Sequence, residues 1–462
     1  MELSIYQKKV FNKYLMGENI FITGPGGTGK SVLIKSIYNN AKTKGQNIVV
    51  CAMTGIASVL LQCQAQTIHS WSGIGIKSGE PEQLSSLIAS NKYKKVDWKY
   101  VDILIIDEVS MMDKDMFETL YLIGQKVRKN LLPFGGIQII MSGDFYQLPP
   151  ISKDKELKYC FESPYWEQTF NNNQIRLVKI FRQKNEVYSK LLNQIRKGKI
   201  KPESVELLME CVNKDKKKLL IKPTILYPKR VDVNMTNKYE LSQINEPTFI
   251  FNLQECKETE LSIQDYDRMK INLLQPFQIK KEKDFLKMSL NCEEELILKK
   301  GSQVMCIVNL DLKSETPVCN GSQGIIIDFN DKNLPIVKFL DGHERTIGYH
   351  IWQSDKIPTV GFKQIPLVLS WAMTIHKSQG STLEYAEIDI GKNIFECGQT
   401  YVALSRLKDI SGLYLKSFDV NKIKVNKKVA KYYKNLLKKE KEMKESKDKD
   451  EIKEDNISNN IN

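Results

Sequence analysis

The stretch GPGGTGKS, Gly24 to Ser31, has the spacing glycine, four residues, then Gly-Lys-Ser. That spacing suits the cradling of a polyphosphate. Gly24, Gly26, Gly27 and Gly29 leave the backbone free to turn N–H groups toward phosphate oxygens, with Thr28 in the same loop. A helix that starts on such a loop adds the positive end of its dipole. Lys30 is then placed for the β and γ phosphates of ATP, and the Ser31 hydroxyl for a Mg²⁺ ion. The plain alternative is a glycine-rich turn with a chance Lys-Ser. The context argues against it, because an apolar run, NIFITG, leads in and a helical pattern follows.

The run DILIIDE (102–108) ends in Asp107 and Glu108. Asp107 can hold the metal and Glu108 can polarise an attacking water. Acidic pairs at strand ends are common, and the phosphate loop gives this one its meaning. Charge developing on a γ-phosphate also calls for a fixed cation, commonly arginine. Eight of the 69 basic residues are Arg, at 128, 176, 182, 196, 230, 268, 345 and 406. In a chain that otherwise uses lysine, a retained arginine hints at a need for a planar, permanently charged fork. Arg182 in KIFRQ and Arg406 in TYVALSR are candidates, with a surface ion pair as the alternative; Arg128 and Arg196 stay unassigned. FGGIQIIMSGDFYQLPPI (134–151) brings Asp144 and Gln147 to a loop stiffened by Pro149 and Pro150. Asp144 reads as a cap, and Gln147 is an amide delivered to the same strand end.

Rigid strands must hold these groups. NIFITG (19–24), NIVVCAMTG (47–55), DILIIDE (102–108) and IQIIMSGD (137–144) are apolar on both faces, the pattern of a parallel sheet covered by helices. Ligands bind at the carboxyl ends of such sheets. TILYPKR (224–230), PLVLSWAMTIHKSQG (366–380), YAEIDIG (385–391) and GLYLKS (412–417) form a second set. The fold class is therefore α/β with two parallel-sheet domains, residues 1–180 and residues 181–298 with 349–419. Residues 299–348 change to short strands with Asn-Gly and Asp-Gly turns, a small antiparallel barrel inserted into the second domain. Residues 72–92, with hairpin-like glycines, predict a small β insertion in the first. Apolar residues at Val425, Val429, Tyr432, Tyr433, Leu436 and Leu437 predict a docked helix over 420–437. Residues 438–462, almost without apolar side chains, are expected to be disordered.

Composition sets the class. Of 462 residues 41% are hydrophobic and 27% charged, as in ordinary globular proteins. No run approaches the roughly 20 apolar residues of a membrane span, so no membrane partner is expected. The start, MELSIYQKKVFNKYL, lacks the apolar core of a secretion signal. Nine cysteines without a C-x-x-C pair suit free thiols in an intracellular, reducing compartment, and they lack metal-ligand spacing. Net charge is +14, which favours a phosphate-bearing partner over a lysine-rich coding bias only when a motif stands beside it.

Those motifs, in their order, resemble superfamily 1B DNA helicases of the petite-integration-frequency (PIF) type, related to RecD. LSIYQ, GPGGTGKS, AMTGIAS with TIHSW, IIDEVSMMD, LPFGGIQIIMSGDFYQLPPI, KIFRQ, SWAMTIHKSQGSTL and TYVALSR carry the resemblance, from about Leu3 to Ser417. It implies two RecA-like P-loop domains with ATP and Mg²⁺ in the cleft and single-stranded DNA across both. It also implies stepping from 5′ to 3′ and unwinding of 5′-tailed duplex, with quadruplexes and RNA–DNA hybrids as further substrates, in replication, recombination or repair. Gln7 is similar to the adenine-reading glutamine, and Gly380 to a second-domain nucleotide contact. Gln147, Arg182 and Arg406 would surround the γ-phosphate. Thr54, Gly55, His69 and Ser70 would contact DNA in the first domain, and His376, Lys377 and Ser378 in the second. The barrel at 299–348 resembles the SH3-like insertion, and 72–92 the small insert that helps part the duplex.

Backbone contacts and aromatic stacking suit a motor that must grip every sequence. Trp71, Tyr146 and Trp371 are stacking candidates, with core packing as the alternative. A monomer is expected, with a DNA-induced dimer as the other form. The rival within enzymes is a DNA-stimulated translocase that strips proteins without unwinding alone, and an RNA motor is less favoured. A pure binding module would tolerate loss of Lys30, Asp107 or Glu108, and all three are present.

Overall fold

The computed structural model describes residues 3–61, 63–74, 79–150, 156–212, 214–215, 221–263, 274–290, 292–310, 318, 320–354, 357–375, 377–378, 381–391, 394 and 396–459. The apolar runs of the first domain become β1 (Ile20–Thr23), β2 (Ile48–Ala52), β3 (Gln66–Thr67), β4 (Ile103–Asp107), β5 (Gln138–Gly143) and β6 (Gln174–Arg176). They form one parallel sheet in the order β3-β2-β4-β5-β1-β6. Alternate residues feed two cores. Phe21, Leu104, Ile106, Ile139 and Met141 face one side, and Ile20, Ile22, Ile103, Ile105 and Ile140 the other. Both faces are dry, which is why these strands carry no polar alternation.

Local chemistry sets the helix ends. Ser4 and Gln7 form a reciprocal capping box that opens the helix Ile5–Leu15. The Asp113 carboxylate accepts the Met116 N–H at the start of Lys114–Arg128. The β insertion expected at 72–92 is instead helical in its described part, with helices Ile68–Ser72, Pro81–Ser90 and Lys92–Tyr100. Pro81 opens a helix well, Ser85 and Ile88 point inward, and Trp98 is buried with its ring 4.6 Å from that of Trp71. Residues 75–78, Gly75 among them, lie outside the described residues.

The helix Glu186–Arg196 packs into the second domain, whose first strand is β7 (Thr224–Tyr227), and the chain then leaves it for longer than expected. β8 (Phe249–Asn252), β9 (Gln254–Glu255), β10 (Glu295–Leu298), β11 (Gln303–Cys306), β12 (Gln323–Phe329), β13 (Pro335–Phe339), β14 (Glu344–Thr346), β15 (His350–Gln353), β16 (Gly361–Gln364) and β17 (Leu367–Leu369) build the insertion. Its sheets are antiparallel, β10-β8, β14-β13-β12-β11-β17 and β15-β16-β9. The insertion thus spans 249–369 and not only 299–348, because β17 pairs with β11, and Phe251 of β8 with Leu296 and Leu298 of its partner β10 share the core of the five-stranded sheet. The chain returns through β18 (Ala372–Thr374), β19 (Ala386–Ile390) and β20 (Leu413–Phe418), which join β7 in the parallel order β18-β7-β19-β20. The run PLVLSWAMT is therefore two strands, divided at Ser370 and Trp371, that serve different sheets.

The final helix runs Lys427–Asn459 and does not give way to disorder at 438. Val429, Tyr433 and Leu436 are buried against the aromatic face of the first sheet. Beyond them Lys439 pairs with Glu167 at 2.9 Å, Glu440 with Arg176 at 3.3 Å, and Lys438 with Glu442 one turn on at 3.7 Å. No glycine or proline interrupts the run, so good helix formers and i,i+4 pairs extend it without an apolar face. Among the described residues no helix is long and apolar enough to cross a membrane.

Candidate nucleotide and nucleic-acid site

The phosphate loop lies between β1 and the helix Lys30–Thr43, as its spacing predicts. Its glycines are required by crowding as well as by conformation. A Cβ on Gly27 (φ +79°) would meet the Arg182 Cβ at 2.6 Å, and one on Gly29 (φ +80°) would meet the Gln7 side-chain nitrogen at 2.7 Å. Gln7 is buried and donates to the carbonyls of Gly29 at 3.3 Å and Thr28 at 3.5 Å. The Thr28 hydroxyl donates to Pro25 O at 2.9 Å. The Lys30 ammonium donates to the carbonyls of Gly24 and Pro25 at 2.9 and 3.1 Å. Burial lowers its pKa, opposed by the charges of Asp144, Glu108 and Asp107.

Asp107 and Glu108 leave β4 into a cleft of about 730 Å³ that Gly26, Lys30, Ser31, Gln147, Arg182 and Arg406 also line. Glu108 adopts φ 57°, ψ 37°, a left-handed conformation unusual for a side-chain-bearing residue. Burial, then the Glu108 carboxylate, pushes the Asp107 carboxyl well above the usual range. Glu108 Oε2 is buried and has no hydrogen-bond partner. Two crowded carboxylates, one with an unpartnered oxygen, and the Ser31 hydroxyl in the same cleft suit a hard divalent cation such as Mg²⁺.

Across the cleft stand the arginines. Arg406 is 3% exposed, donates to Val402 O at 3.0 Å and to Ser405 Oγ at 2.9 Å, and approaches Gly26. Arg182 donates to Ser405 O at 3.1 Å. Burial lowers both pKa values, and the neighbouring Arg182 helps to push Arg406 down to about 9. Two desolvated guanidinium groups near each other are unfavourable until an anion sits between them. Gln147 is buried on the same side with its Oε1 unpartnered.

Sequence reasoning missed several groups here. The Tyr401 hydroxyl accepts the Gly26 N–H at 2.9 Å, so the second domain touches the phosphate loop directly. Gly398 (φ +83°) presses on the Gln147 loop so closely that a Cβ would lie 2.4 Å from Gln147 O. Asp144 is not a simple cap. It forms a buried two-point pair with Arg196, Nε to Oδ2 at 2.8 Å and Nη2 to Oδ1 at 2.7 Å. The one signal of this in sequence was the rarity of arginine.

The expected DNA contacts are spread more widely. Thr54 Oγ1 accepts the Ala57 N–H at the start of Gly55–Leu61, and Thr54 also lines the nucleotide cleft. His69 and Ser70 lie in Ile68–Ser72, where burial lowers the His69 pKa. Lys377 lines the nucleotide cleft and its Nζ lies 3.7 Å from Glu293. Ser378 is buried, and its hydroxyl donates to Ile375 O at 2.8 Å. His376 and Gly380 lie outside the described residues. Of the stacking candidates, Trp71 and Trp371 are buried, and Tyr146 is half-buried and stacks on Tyr433 at 4.5 Å. Apolar neighbours at these strand ends outweigh the pull of solvent.

A phosphate loop, an acidic pair from the same sheet and arginines reaching in from a second parallel-sheet domain define a P-loop NTPase built from two RecA-like domains. Residues 2–206 match the family described as PIF1-like helicase, and residues 283–329 match that described as DNA helicase Pif1, 2B domain. The chain belongs to the PIF1-like helicase family. It is 31% identical to the ATP-dependent DNA helicase PIF1 of Emericella nidulans over 91% of this chain and 61% of that one. It is 35% identical to that of Danio rerio (95% and 64%) and 32% to that of Homo sapiens (98% and 67%). The chain thus spans about two thirds or less of the length of these relatives. The crystal structure of Pif1 helicase from Candida albicans superposes with a TM-score of 0.70 at 33% identity, covering 94% of this chain and 100% of that one. Bacteroides sp. Pif1 in complex with ADP-AlF4 gives 0.75 at 25% identity (95% and 98%), and Bacteroides Pif1 bound to ssDNA gives 0.59 at 25% (95% and 98%).

Proposed function

We propose that this chain is an ATP- and Mg²⁺-dependent DNA helicase that moves 5′ to 3′ along single-stranded DNA and unwinds 5′-tailed duplex. The observation that carries this reading is the cleft in which Lys30, Asp107 and Glu108 face Arg182 and Arg406. Support comes also from relatives named ATP-dependent DNA helicase and from solved Bacteroides complexes with ADP-AlF4 and with ssDNA.

In this reading the loop Gly24–Gly29 and Lys30 bind the triphosphate, and Gln7 borders the base. Asp107 and the Ser31 hydroxyl would hold Mg²⁺, which neutralises phosphate charge and fixes its orientation. Glu108 orients the attacking water and takes up its proton. Arg182 and Arg406 meet the charge that develops on the γ-phosphate, a contribution of about 10³–10⁵ in rate for such arginines. Gln147 senses the γ-phosphate, and its loop relays the change to the grip on DNA. Thr54, Gly55, His69 and Ser70 of the first domain hold the backbone of the strand, with His376, Lys377 and Ser378 from the second. A monomer suffices for this cycle; a structure described as two coordinating Pif1 helicases at forked dsDNA supports a second copy on some substrates. The described free cysteines are in keeping with work in a reducing, intracellular compartment.

The test is strand separation on matched 5′-tailed, 3′-tailed, quadruplex and RNA–DNA hybrid substrates, with and without EDTA. Unwinding of the 5′-tailed duplex that stops with EDTA is expected. A 3′ preference would overturn the direction, and hydrolysis without any separation would favour a protein-stripping translocase.

A further inference from the structure

The buried pair Asp144–Arg196 is the centre of a larger knot. Asp144 lies directly after β5, three residues before Gln147, and Arg196 ends the second-domain helix Glu186–Arg196. Asp144 Oδ1 also accepts the Tyr146 N–H and the Tyr433 hydroxyl, each at 3.2 Å. Tyr433 belongs to the last helix, which carries none of the motifs. Its oxygen lies 2.7 Å from the Thr23 hydroxyl, at the residue before the phosphate loop, and accepts the Phe145 N–H at 3.1 Å. Its ring stacks on Tyr146 at 4.5 Å and 10°, and the Arg196 guanidinium lies 4.6 Å from the Tyr146 ring and 5.3 Å from that of Tyr433. One phenol oxygen therefore touches the strand that feeds the phosphate loop and the loop that carries Gln147. Through Asp144 it also reaches a helix of the other domain.

We propose that Tyr433 is a positioning residue for ATP turnover: it keeps the Asp144–Gln147 loop in register with the phosphate loop, so that second-domain movement carried by Arg196 reaches Gln147. The physical basis is that a two-point buried ion pair is directional and costly to leave half formed. Arg196 cannot swing without drawing Asp144 or breaking from it. The Tyr433 hydroxyl decides how much of that motion the loop takes up. The inference rests on the reading of Gln147 as the γ-phosphate sensor.

Tyr433→Phe keeps the ring and its stacking and removes only the oxygen. Leu436→Ala, on the same buried helix face but outside the knot, is the control for lost stability alone. Both are compared in the full chain by thermal melting, by steady-state ATP hydrolysis with single-stranded DNA, and by base pairs unwound per ATP. For Tyr433→Phe, kcat in the presence of DNA is expected to fall about tenfold with KM for ATP within about twofold. Base pairs per ATP are expected to fall about threefold, while melting shifts no more than in Leu436→Ala. Tyr433→Phe with the kcat and coupling ratio of Leu436→Ala would overturn the inference and leave Tyr433 a core residue. Gln147→Ala separates the two levels. If it leaves DNA-stimulated hydrolysis unchanged, the sensor reading fails and the inference with it. If it uncouples hydrolysis from unwinding and Tyr433→Phe does not, only the inference fails.

Discussion

Lys30 makes two hydrogen bonds to its own loop, through a group whose charge burial already disfavours. Lys30→Ala removes the one ammonium of the phosphate loop but no part of the DNA path. ATP hydrolysis is expected to fall by about 10³ or more, with single-strand affinity held within about tenfold, checked by phosphate release and fluorescence anisotropy. Arg196→Ala acts differently, because it strands the Asp144 carboxylate in the interior. A loss of about 3–5 kcal/mol in unfolding free energy is expected from chemical denaturation. Removing the stranded charge with Asp144→Asn in the same chain should recover part of it. Lys30 and Asp107 were legible because their chemistry depends on neighbours in sequence. Arg196 and Tyr433 were not, because their partners lie 52 and 289 residues away at Asp144.

Strands apolar on both faces announced the parallel sheets, and their carboxyl ends located the cleft. The insertions were less legible, because one short apolar run can serve two sheets. Leu367–Leu369 pairs with the barrel strand β11, while Ala372–Thr374 two residues on pairs with β7. Over 72–92 the glycines at 73, 75 and 79 suggested turns, whereas the inward residues Ser85 and Ile88 sit one helical turn apart in Pro81–Ser90. The last helix begins at Lys427 and not at 420, which leaves Val425 outside it, and it continues through the charged stretch expected to be disordered, where only ion pairs and propensity act. Removing 446–462 should leave the melting temperature within about 2 °C, since Val429, Tyr433, Leu436 and the pairs to Glu167 and Arg176 all precede it. Ending the chain at Asn426 should instead unfold the first domain, as far- and near-ultraviolet circular dichroism would register.

At the scale of the molecule, a net charge of +14 accompanies a chain with an NTPase cleft between two domains. If three or four phosphates of a single strand are neutralised, affinity should fall roughly 20- to 50-fold between 50 and 200 mM salt, with a slope of about −0.7 per phosphate. A flat salt response would mean that stacking, not charge, holds the strand. The bond between Thr23 and Tyr433 joins residues 410 apart. During synthesis β1 and its phosphate loop therefore emerge long before the tyrosine that covers them. Until the last helix is made, the face bearing Phe21, Phe145 and Trp166 lacks Val429, Tyr433 and Leu436. Folding of the first domain is thus tied to completion of the chain, a non-local closure expected to be slow and exposed to aggregation. A ribosome stalled before residue 427 would hold a nascent domain that has its nucleotide loop but cannot yet close its core.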